Sequence, residues 1–328
     1  MLLRSPKFWY AEKVNWFLKI LLFLPSRAYS WGSSLNYRRS YKNKSVPQKV
    51  IAIGAITAGG SGKSIVVKAL ADLLGILGKK CAVLSVGYGR SSSRVLAVDL
   101  DMHTCADVGD EPLMLSQKGL DVFVAKNRSQ SAALANSKGI YDVFLLDDGI
   151  CQKYLRPDVR FLVIDADQGF GNGEMLPLGP NRLSMKTIKN DIDAAILLTY
   201  QSEYDFSKIR EKIPDSIPIL MGRLLQNFSQ INCGERFLAF CGIGYPKKFF
   251  DSIAGKLTVV KQVVFPDHYP FSDAEIVDLL DDARFLDAKL LTTEKDLARI
   301  PKRYHHLITT VPVRISWYDN EKIASYLR

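Results

Sequence analysis

The chain has 328 residues, more than a single hydrophobic core usually organises, and this length predicts two domains. Hydrophobic residues make up 47% and charged residues 24%, which is typical of a globular protein and excludes disordered, collagen-like and low-complexity classes. The formal charge of +10 is concentrated in residues 1–49, where ten Lys and Arg side chains accompany one acid, Glu12. We therefore expect no general nucleic-acid surface and one local contact with an anionic partner.

The first predicted element is an amphipathic helix around the stretch "WFLKILLFLP". No small-residue cleavage site follows this stretch, so it does not read as a secretory signal peptide, and ten residues are too few to cross a bilayer. The pattern predicts a helix in a membrane interface with its cations on anionic head groups, and the alternative is a helix packed on the protein's own core. The apolar face comprises Tyr10, Val14, Phe17, Leu18, Leu21 and Leu24, the polar face Glu12, Asn15 and Lys19, and the flanking tryptophans Trp9, Trp16 and Trp31.

Apolar runs alternate with helical segments after this arm. Such alternation predicts right-handed β-α-β units and a parallel sheet covered on both faces. The runs of the first set are residues 50–53, 82–86, 122–125, 143–146, 161–164 and 194–198.

The alternation of apolar runs and helical segments becomes irregular at residues 202–235, where Pro214 and Pro218 favour a linker. A second α/β set follows. Its predicted strands are residues 237–241, 259–265, 289–291 and 307–313, and its predicted helices are 247–257 and 273–286. We predict an α/β fold divided into a membrane-associating arm (1–48), a parallel-sheet domain (49–201), a linker (202–235) and a smaller α/β domain (236–328).

A phosphate-binding loop is predicted in "GAITAGGSGKS", between the first apolar run and a helical pattern. In the P-loop pattern G-x-x-x-x-G-K-[ST], backbone amides surround the phosphates, the Lys reaches the terminal oxygens and the hydroxyl binds Mg²⁺. Thr57 replaces the first glycine, and a chance glycine-rich turn is the alternative interpretation. The predicted nucleotide-binding residues are Thr57, Ala58, Gly59, Gly60, Ser61, Gly62, Lys63 and Ser64.

A carboxylate pair follows a second apolar run in "YDVFLLDDG". A P-loop enzyme needs a carboxylate at the end of a neighbouring strand for its metal ion, and Asp147 and Asp148 occupy such a position. Adjacent aspartates repel one another unless a cation lies between them, so the pair predicts Mg²⁺. The alternative is a solvated turn after the strand.

Eight motifs along the chain together resemble one family, the tetraacyldisaccharide 4′-kinases that act in lipid A biosynthesis of Gram-negative bacteria. The resemblance covers essentially the whole chain, and eight collinear motifs are far more specific than any one of them. The motifs are "GGSGKS", "GYGR", "VGDEP", "DDG", "GFGNGEMLPLGP", "AFCGIGYPKKFF", "FPDHYPFS" and "TTEKD".

The resemblance implies transfer of the ATP γ-phosphoryl group to the 4′-hydroxyl of a tetraacylated glucosamine disaccharide 1-phosphate, at the cytoplasmic face of the bacterial inner membrane. By resemblance, Asp110 is the base or orienting carboxylate and His268 pairs with it across the two domains. Lys63 contacts the phosphates. The resemblance also places Glu111 with Ser64, Asp148 and the nearby Asp147 around Mg²⁺.

Two arginines are further candidates, because a guanidinium fork matches phosphate oxygens. Arg128 and Arg182 could hold the substrate 1-phosphate or the nucleotide phosphates, and surface ion pairs are the alternative. The "TTEKD" stretch follows an apolar run and is expected at a strand end facing the cleft, as a structural cap or as a substrate contact.

The chain departs from the family pattern at several positions. Val86 stands where the family usually has Arg, Cys151 and Gln152 follow "DDG" in place of Gln-His, and Leu183 and Ser184 replace a Glu-Pro pair. These departures leave the predicted catalytic set intact and bear on acyl-chain or saccharide contacts.

A P-loop GTPase or metallochaperone is the main rival interpretation. Its guanine-reading N/T-K-x-D motif is not matched, since Lys295 and Asp296 are adjacent here. The five cysteines include no C-x-x-C pair, so a zinc knuckle or disulfide framework is not predicted, and a reduced cytosol fits best.

Overall fold

The computed structural model describes residues 6–11, 13–38, 45–152 and 154–328. Glu12, which the sequence places on the polar face of the first helix, and the basic residues Arg4, Arg39, Lys42 and Lys44 lie outside the described residues. No helix among the described residues combines the length and the apolar character needed to cross a membrane.

Helices and strands alternate through most of the described chain. The helices are α1 (Trp16–Arg38), α2 (Lys63–Ile76), α3 (Cys105–Val108), α4 (Asp110–Gln117), α5 (Arg128–Lys138), α6 (Met185–Ile188), α7 (Ser207–Arg210), α8 (Pro246–Ile253), α9 (Asp273–Phe285), α10 (Glu294–Leu297) and α11 (Asn320–Leu327), with 3-10 helices at Lys7–Tyr10 and Lys302–Leu307. The strands are β1 (Lys49–Gly54), β2 (Cys81–Ser85), β3 (Leu96–Ala97), β4 (Val122–Val124), β5 (Val143–Asp147), β6 (Val159–Asp165), β7 (Ala194–Thr199), β8 (Ile219–Gln226), β9 (Arg236–Cys241), β10 (Thr258–Val264), β11 (Lys289–Thr292), β12 (Ile308–Thr310) and β13 (Val313–Trp317).

The larger sheet has the strand order β13-β8-β7-β6-β1-β5-β2-β4-β3. It is parallel from β8 to β4, and only its two edge strands, β13 and β3, pair antiparallel among the described residues. Strand β1 lies centrally between β6 and β5, which places the loop after β1 at the carboxyl edge of the sheet, where open α/β sheets bind their ligands.

Successive residues of β1 pack on opposite faces of this sheet, as the two-residue period of a strand requires. Ile51 and Ile53 contribute to a core with helices α2 and α11, whereas Val50 and Ala52 contribute to a second core that includes α5. Both faces are therefore covered, and residues 50–53 of the central strand are all apolar and buried. The predicted doubly covered parallel sheet is confirmed.

The smaller sheet is fully parallel, with the order β10-β9-β11-β12. Helices α8 and α9 pack on its two faces in separate hydrophobic cores. Strand β9 is central and contributes residues to both cores, for example Phe237 to one and Phe240 to the other. This body carries residues of the "AFCGIGYPKKFF", "FPDHYPFS" and "TTEKD" motifs.

The structure divides the chain differently from the predicted linker at 202–235 and the predicted second domain at 236–328. Strand β8 lies within that segment and pairs with β7 of the larger sheet. The predicted strand at 307–313 is two strands separated by Pro312: β12 joins the smaller sheet, and β13 returns to pair with β8. The larger body thus takes its last strand and its last helix, α11, from the C-terminus.

The N-terminal helix begins later than its apolar pattern indicates. Tyr10 belongs to a 3-10 helix, Val14 precedes α1, and α1 runs from Trp16 to Arg38. The Asn15 side chain accepts the Phe17 amide at 2.9 Å, an N-cap interaction that starts the helix at this point. Tyr10 and Val14 therefore do not lie on the same helical face as Leu21.

Candidate active site

The loop between β1 and α2 places Lys63 as the first residue of α2. Gly62 adopts a left-handed φ of 84°, and a Cβ atom there would come within 2.6 Å of Leu198, so glycine is required. No side chain caps the start of α2, which leaves amides of its first turn directed at the carboxyl edge of the sheet. This is the local geometry that binds anions at helix N-termini.

Two amides of the predicted nucleotide loop are already used inside the protein. The Ala58 amide donates to the Pro180 carbonyl at 2.8 Å, and the Ser61 amide donates to the Gly59 carbonyl at 3.0 Å. Thr57 forms an isolated antiparallel bridge with Asn181, while Ser64 is half-buried in the first turn of α2. The "LPLGP" segment therefore supports the start of the loop, and the remaining amides lie nearer to Lys63.

Asp148 lies between two cations. Arg182 donates from both terminal nitrogens to its two carboxylate oxygens, at 2.9 Å each, and the Lys63 Nζ lies 3.9 Å from Oδ1. Burial alone would raise the pKa of Asp148, but the Lys63 charge and the Arg182 fork hold it well below its usual range. Arg182 also donates to the Ala55 carbonyl at 2.7 Å and so ties this carboxylate to the loop after β1.

Asp147 has the opposite environment, although it is the preceding residue. It ends strand β5, beside Ile53 of β1, and is buried. Oδ2 accepts the Ser85 hydroxyl at 3.1 Å, whereas Oδ1 is buried without a hydrogen-bond partner among the described residues. Burial, with the negative charges of Glu111 and Asp148, raises the pKa of Asp147 to about 7.

Arg128 is the first residue of α5, and it is buried rather than forming a surface ion pair. Its guanidinium donates to the main-chain carbonyl of Asp147 at 2.6 Å. Burial lowers the pKa of Arg128, and the nearby acids Asp147 and Asp148 oppose that effect. The observed contact fixes the end of β5, so in this structure Arg128 positions the carboxylate pair.

Asp110 and His268 meet across the two bodies, as the resemblance implied. The His268 Nδ1 lies 2.8 Å from Oδ2 of Asp110, and the Arg299 Nε donates to the same oxygen at 3.1 Å. Burial alone would raise the pKa of Asp110, but the His268 hydrogen bond and the charges of Lys295 and Arg299 hold it well below its usual range. The carboxylate is ionised and firmly oriented.

Glu111 connects this pair to the phosphate-binding loop. Lys295 of the "TTEKD" motif lies 3.2 Å from its carboxylate. Burial would raise the pKa of Glu111, but the charges of Lys295 and Lys63 lower it. The loop itself approaches the smaller body, since a Cβ atom at Gly244 would lie 3.9 Å from the Gly60 nitrogen and 3.1 Å from Asp267, the residue before His268.

The "TTEKD" motif contains the structural cap, one of its two interpretations. Thr293 caps α10 by accepting the Asp296 amide at 3.1 Å, which is the structural interpretation, and Lys295 reaches Glu111 in the cleft. Sequence reasoning missed Arg299. Its position three residues after Asp296, on the same side of a helical turn, was the available signal.

No group of three acidic, imidazole or thiol side chains within the described parts of the chain is already arranged to hold a metal ion. Among the predicted metal ligands, the charge of Glu111 contributes to the raised pKa of Asp147, while Asp148 is paired with Arg182. A preformed cage is not expected for Mg²⁺ that arrives with a nucleotide, since such sites combine one or two carboxylates with phosphate oxygens and water.

Comparison with known proteins places these residues in a family. A family model described as tetraacyldisaccharide-1-P 4′-kinase matches residues 14–328. The tetraacyldisaccharide 4′-kinase of Rhodospirillum centenum is 35% identical over 330 residues, which cover 99% of this chain and 96% of the relative. That of Rhodopseudomonas palustris strain BisA53 is 36% identical over 323 residues, with 97% and 93% covered.

A solved structure agrees with the sequence comparisons. The crystal structure of LpxK from Aquifex aeolicus in complex with ATP superposes with a TM-score of 0.74 at 25% identity, over 94% of this chain and 98% of that chain. The resemblance inferred from eight collinear motifs is thereby confirmed. The chain belongs to the tetraacyldisaccharide 4′-kinase family.

Proposed function

We propose that this protein transfers the γ-phosphoryl group of ATP to the 4′-hydroxyl of a tetraacylated glucosamine disaccharide 1-phosphate, which yields lipid IVA. One observation carries the proposal. Lys63 lies at an uncapped helix N-terminus, and the loop before it approaches the segment that carries His268, since a Cβ atom at Gly244 would lie 3.9 Å from the Gly60 nitrogen and 3.1 Å from Asp267. His268 in turn contacts Asp110 at 2.8 Å. The ADP leaving group and the acceptor hydroxyl can therefore lie on opposite sides of the γ-phosphorus atom.

The nucleotide phosphates are expected at the start of α2. The amides of its first turn and the Lys63 ammonium supply donors to the β- and γ-phosphate oxygens. Lys63 is held near Asp148 at 3.9 Å, so an arriving triphosphate competes with that carboxylate for the ammonium. Arg182, which donates two hydrogen bonds to Asp148, still compensates the Asp148 charge when the Lys63 ammonium binds the phosphates.

The buried site around Asp147 fits Mg²⁺. Its Oδ1 atom is buried without a partner among the described residues, and its neighbours Glu111 and Asp148 add further negative charge. Asp147, Glu111 and the Ser64 hydroxyl would hold the ion. When bound with the triphosphate, Mg²⁺ neutralises charge on the phosphate oxygens. Asp148 is paired with Arg182 and would act as a neighbouring charge, whereas the sequence-based assignment placed it among the metal ligands.

Asp110 is the group that receives the acceptor hydroxyl. Its Oδ2 takes bonds from His268 and Arg299, whereas Oδ1 takes the Glu111 amide at 3.0 Å and retains a lone pair. The hydroxyl donates to Oδ1 and its oxygen attacks the γ-phosphorus. The new O–P bond forms as the bond to the β-phosphate oxygen breaks, ADP leaves, and the hydroxyl proton passes to the carboxylate.

An acylated substrate stays in a bilayer, so the enzyme has to reach it there. Helix α1 exposes a large apolar surface to solvent and is tied to the body by polar contacts: Ser26 to Met175, Ser34 to Thr187 and Tyr37 to Asp191. A helix attached in this way can enter the acyl boundary while the body remains outside. We therefore place the protein peripherally at the cytoplasmic face of the inner membrane. The exposed residues include Trp16, Phe17, Ile20, Leu21, Leu24 and Trp31.

Phosphorylation of purified tetraacyldisaccharide 1-phosphate in detergent, with labelled ATP and Mg²⁺, tests the function. We expect transfer by the parent protein and a loss of at least 100-fold in kcat for Lys63→Ala, because the amides alone poorly replace a charge at the transferred group. Lys68→Ala, which removes a partly exposed lysine from the same helix, is the matched control. A parent protein that turns over GTP or soluble acceptors and not the lipid would contradict the proposal.

His268→Ala tests the contact between the two bodies. Losing the group that orients Asp110 should lower kcat for the lipid about 100-fold and leave the KM for ATP unchanged, because His268 contacts the acceptor carboxylate and not the phosphate-binding loop. Steady-state kinetics with each substrate varied in turn separates the two constants. Unchanged lipid turnover in this variant would show that the pairing has no part in the reaction.

A further inference from the structure

A buried arginine that no sequence motif identified connects the two bodies of the molecule. Arg299 follows α10 in the smaller body, and its side chain is only 4% exposed. Its Nε donates to Oδ2 of Asp110 at 3.1 Å, while Nη1 donates to the Gly242 carbonyl at 2.7 Å and to Asp296 at 3.1 Å. One planar group therefore bonds a carboxylate of the larger body and two acceptors of the smaller one.

The two acceptors belong to a rigid frame. Asp296 is fully buried; its Oδ1 accepts the Gly242 amide at 2.9 Å as well as Arg299, and its Oδ2 accepts the Thr293 hydroxyl at 2.6 Å. A buried carboxylate with these donors has little freedom to move, since each lost bond would leave a charged atom without a partner. Asp296 thus fixes the direction of the guanidinium.

Gly242 joins Arg299 to His268. Its carbonyl accepts both Nη1 of Arg299 and, at 3.2 Å, the main-chain amide of His268. A Cβ atom at Gly242 would lie 3.0 Å from the Pro266 carbonyl, so a side chain there would displace the segment that carries His268. Both groups that hold Oδ2 of Asp110 are consequently anchored to the same carbonyl.

We propose that Arg299 is a positioning residue of the phosphoryl-transfer site, which together with His268 holds Oδ2 of Asp110 so that Oδ1 faces the acceptor hydroxyl. This inference rests on the proposed function for the identity of the acceptor. Arg299 acts through Asp110 and contacts none of the residues of the phosphate-binding loop that the structure describes. The geometry requires a fork: a lysine at this position retains the charge but cannot bond Asp110 and Gly242 together.

The first test is kinetic and uses Arg299→Lys and Arg299→Gln in the full-length protein. We expect kcat for the lipid to fall roughly tenfold in the lysine variant and roughly 100-fold in the glutamine variant, because small displacements of a catalytic group are costly. The KM for ATP should stay unchanged. Arg303 lies four residues after Arg299, is exposed and pairs with Asp273. Arg303→Ala should therefore match the parent. Parent-like kcat in Arg299→Lys would overturn the inference.

A double-variant cycle asks whether Arg299 acts through Asp110. In an Asp110→Asn background we expect Arg299→Lys to cost less than about threefold in kcat, since residues that act as a unit are not additive. An equal loss in both backgrounds would overturn the positioning role in favour of a general effect on the fold. Binding of a fluorescent ATP analogue verifies in each variant that the larger body is intact.

A spectroscopic measurement decides the inference without the lipid. Nitrogen NMR of histidine-labelled protein, with the His268 signals assigned from His268→Gln, reports the Nδ1 bond to Asp110. These signals should shift in Arg299→Lys and remain as in the parent in Arg303→Ala. Unshifted signals in Arg299→Lys would overturn the inference, whereas absence of lipid phosphorylation by the parent would count against the proposed function alone.

Discussion

At the scale of residues, the carboxylates of the site differ most in how their charge is compensated. Asp148 has Arg182 and Lys63 as partners, while Asp147 is buried with Oδ1 unpaired among the described residues. The raised pKa of Asp147 therefore links protonation to folding. The folded protein holds this proton up to about pH 7, whereas an unfolded chain releases it near its ordinary pKa of 3.8, so stability falls as pH rises through that window.

Asp147→Asn removes this loss in metal-free protein. We expect the variant and the parent to be equally stable near pH 4 and the variant to be more stable above pH 7, by on the order of 4 kcal/mol. Urea unfolding in EDTA across this pH range measures the difference. Mg²⁺ with ATP should stabilise the parent more than the variant. Asp281→Asn, a change at an exposed carboxylate, is the control, and a difference that does not depend on pH would contradict the assignment.

The sequence predicted most residues of the site and, through the family resemblance, the pairing of Asp110 with His268, but it did not predict the arginines that hold the carboxylates. The "GSGKS" and "DDG" motifs locate Lys63 and the aspartates, because strand ends of a parallel sheet meet at one edge. The different environments of Asp147 and Asp148 depend on Arg182, which lies 34 residues further along the chain. Local spacing carries no information on such a contact, and the same holds for Arg299 and Asp110.

At the scale of elements, helix α1 is distinctive because its apolar residues face outward. Leu21 and Leu24 are 59% and 74% exposed, whereas Ser26 and Tyr37 face the body. The sequence predicted the helix and its apolar character. It extended the face to Tyr10 and Val14, since a hydrophobic period does not reveal that Asn15 caps the helix one residue before Trp16.

Leu21→Ser combined with Leu24→Ser tests membrane binding by α1. Each leucine contributes roughly 2 kcal/mol when it enters an apolar phase, so partition onto anionic vesicles should weaken at least tenfold. Vesicle co-sedimentation measures binding, and binding of an ATP analogue in solution should be unchanged. Val277→Ser, at an exposed apolar position on α9, is the control. Equal vesicle binding by the double variant and the parent would exclude α1 as the contact.

At the scale of the whole molecule, the chain leaves the larger sheet after β8, forms the smaller body, and returns as β13 and α11. Ile323 and Leu327 of α11 pack into the same core as helix α2. The sequence did not predict this return, because residues 307–313 form one apolar run and only Pro312, which cannot donate to a sheet, separates its two halves.

Ile323→Ala tests the energetic importance of this return. Removing a fully buried side chain should cost about 3 kcal/mol in the free energy of unfolding. The loss should appear in the larger body, whose helix α2 lies some 250 residues earlier in the sequence. Urea unfolding, with nucleotide-analogue binding as the probe of the larger body, measures it. Lys322→Ala, at the exposed neighbouring position, should be neutral. A loss confined to the smaller body would contradict the packing described.

The return of the C-terminus has a consequence for biosynthesis. All residues proposed to bind the nucleotide leave the ribosome early, yet β8 gains its second neighbour only after β13 has been translated. A nascent chain halted after residue 311 would present β8 as an open edge, the kind of surface through which sheets of separate molecules join. Synthesis of β13 is therefore the step that completes the nucleotide-binding body and covers this edge.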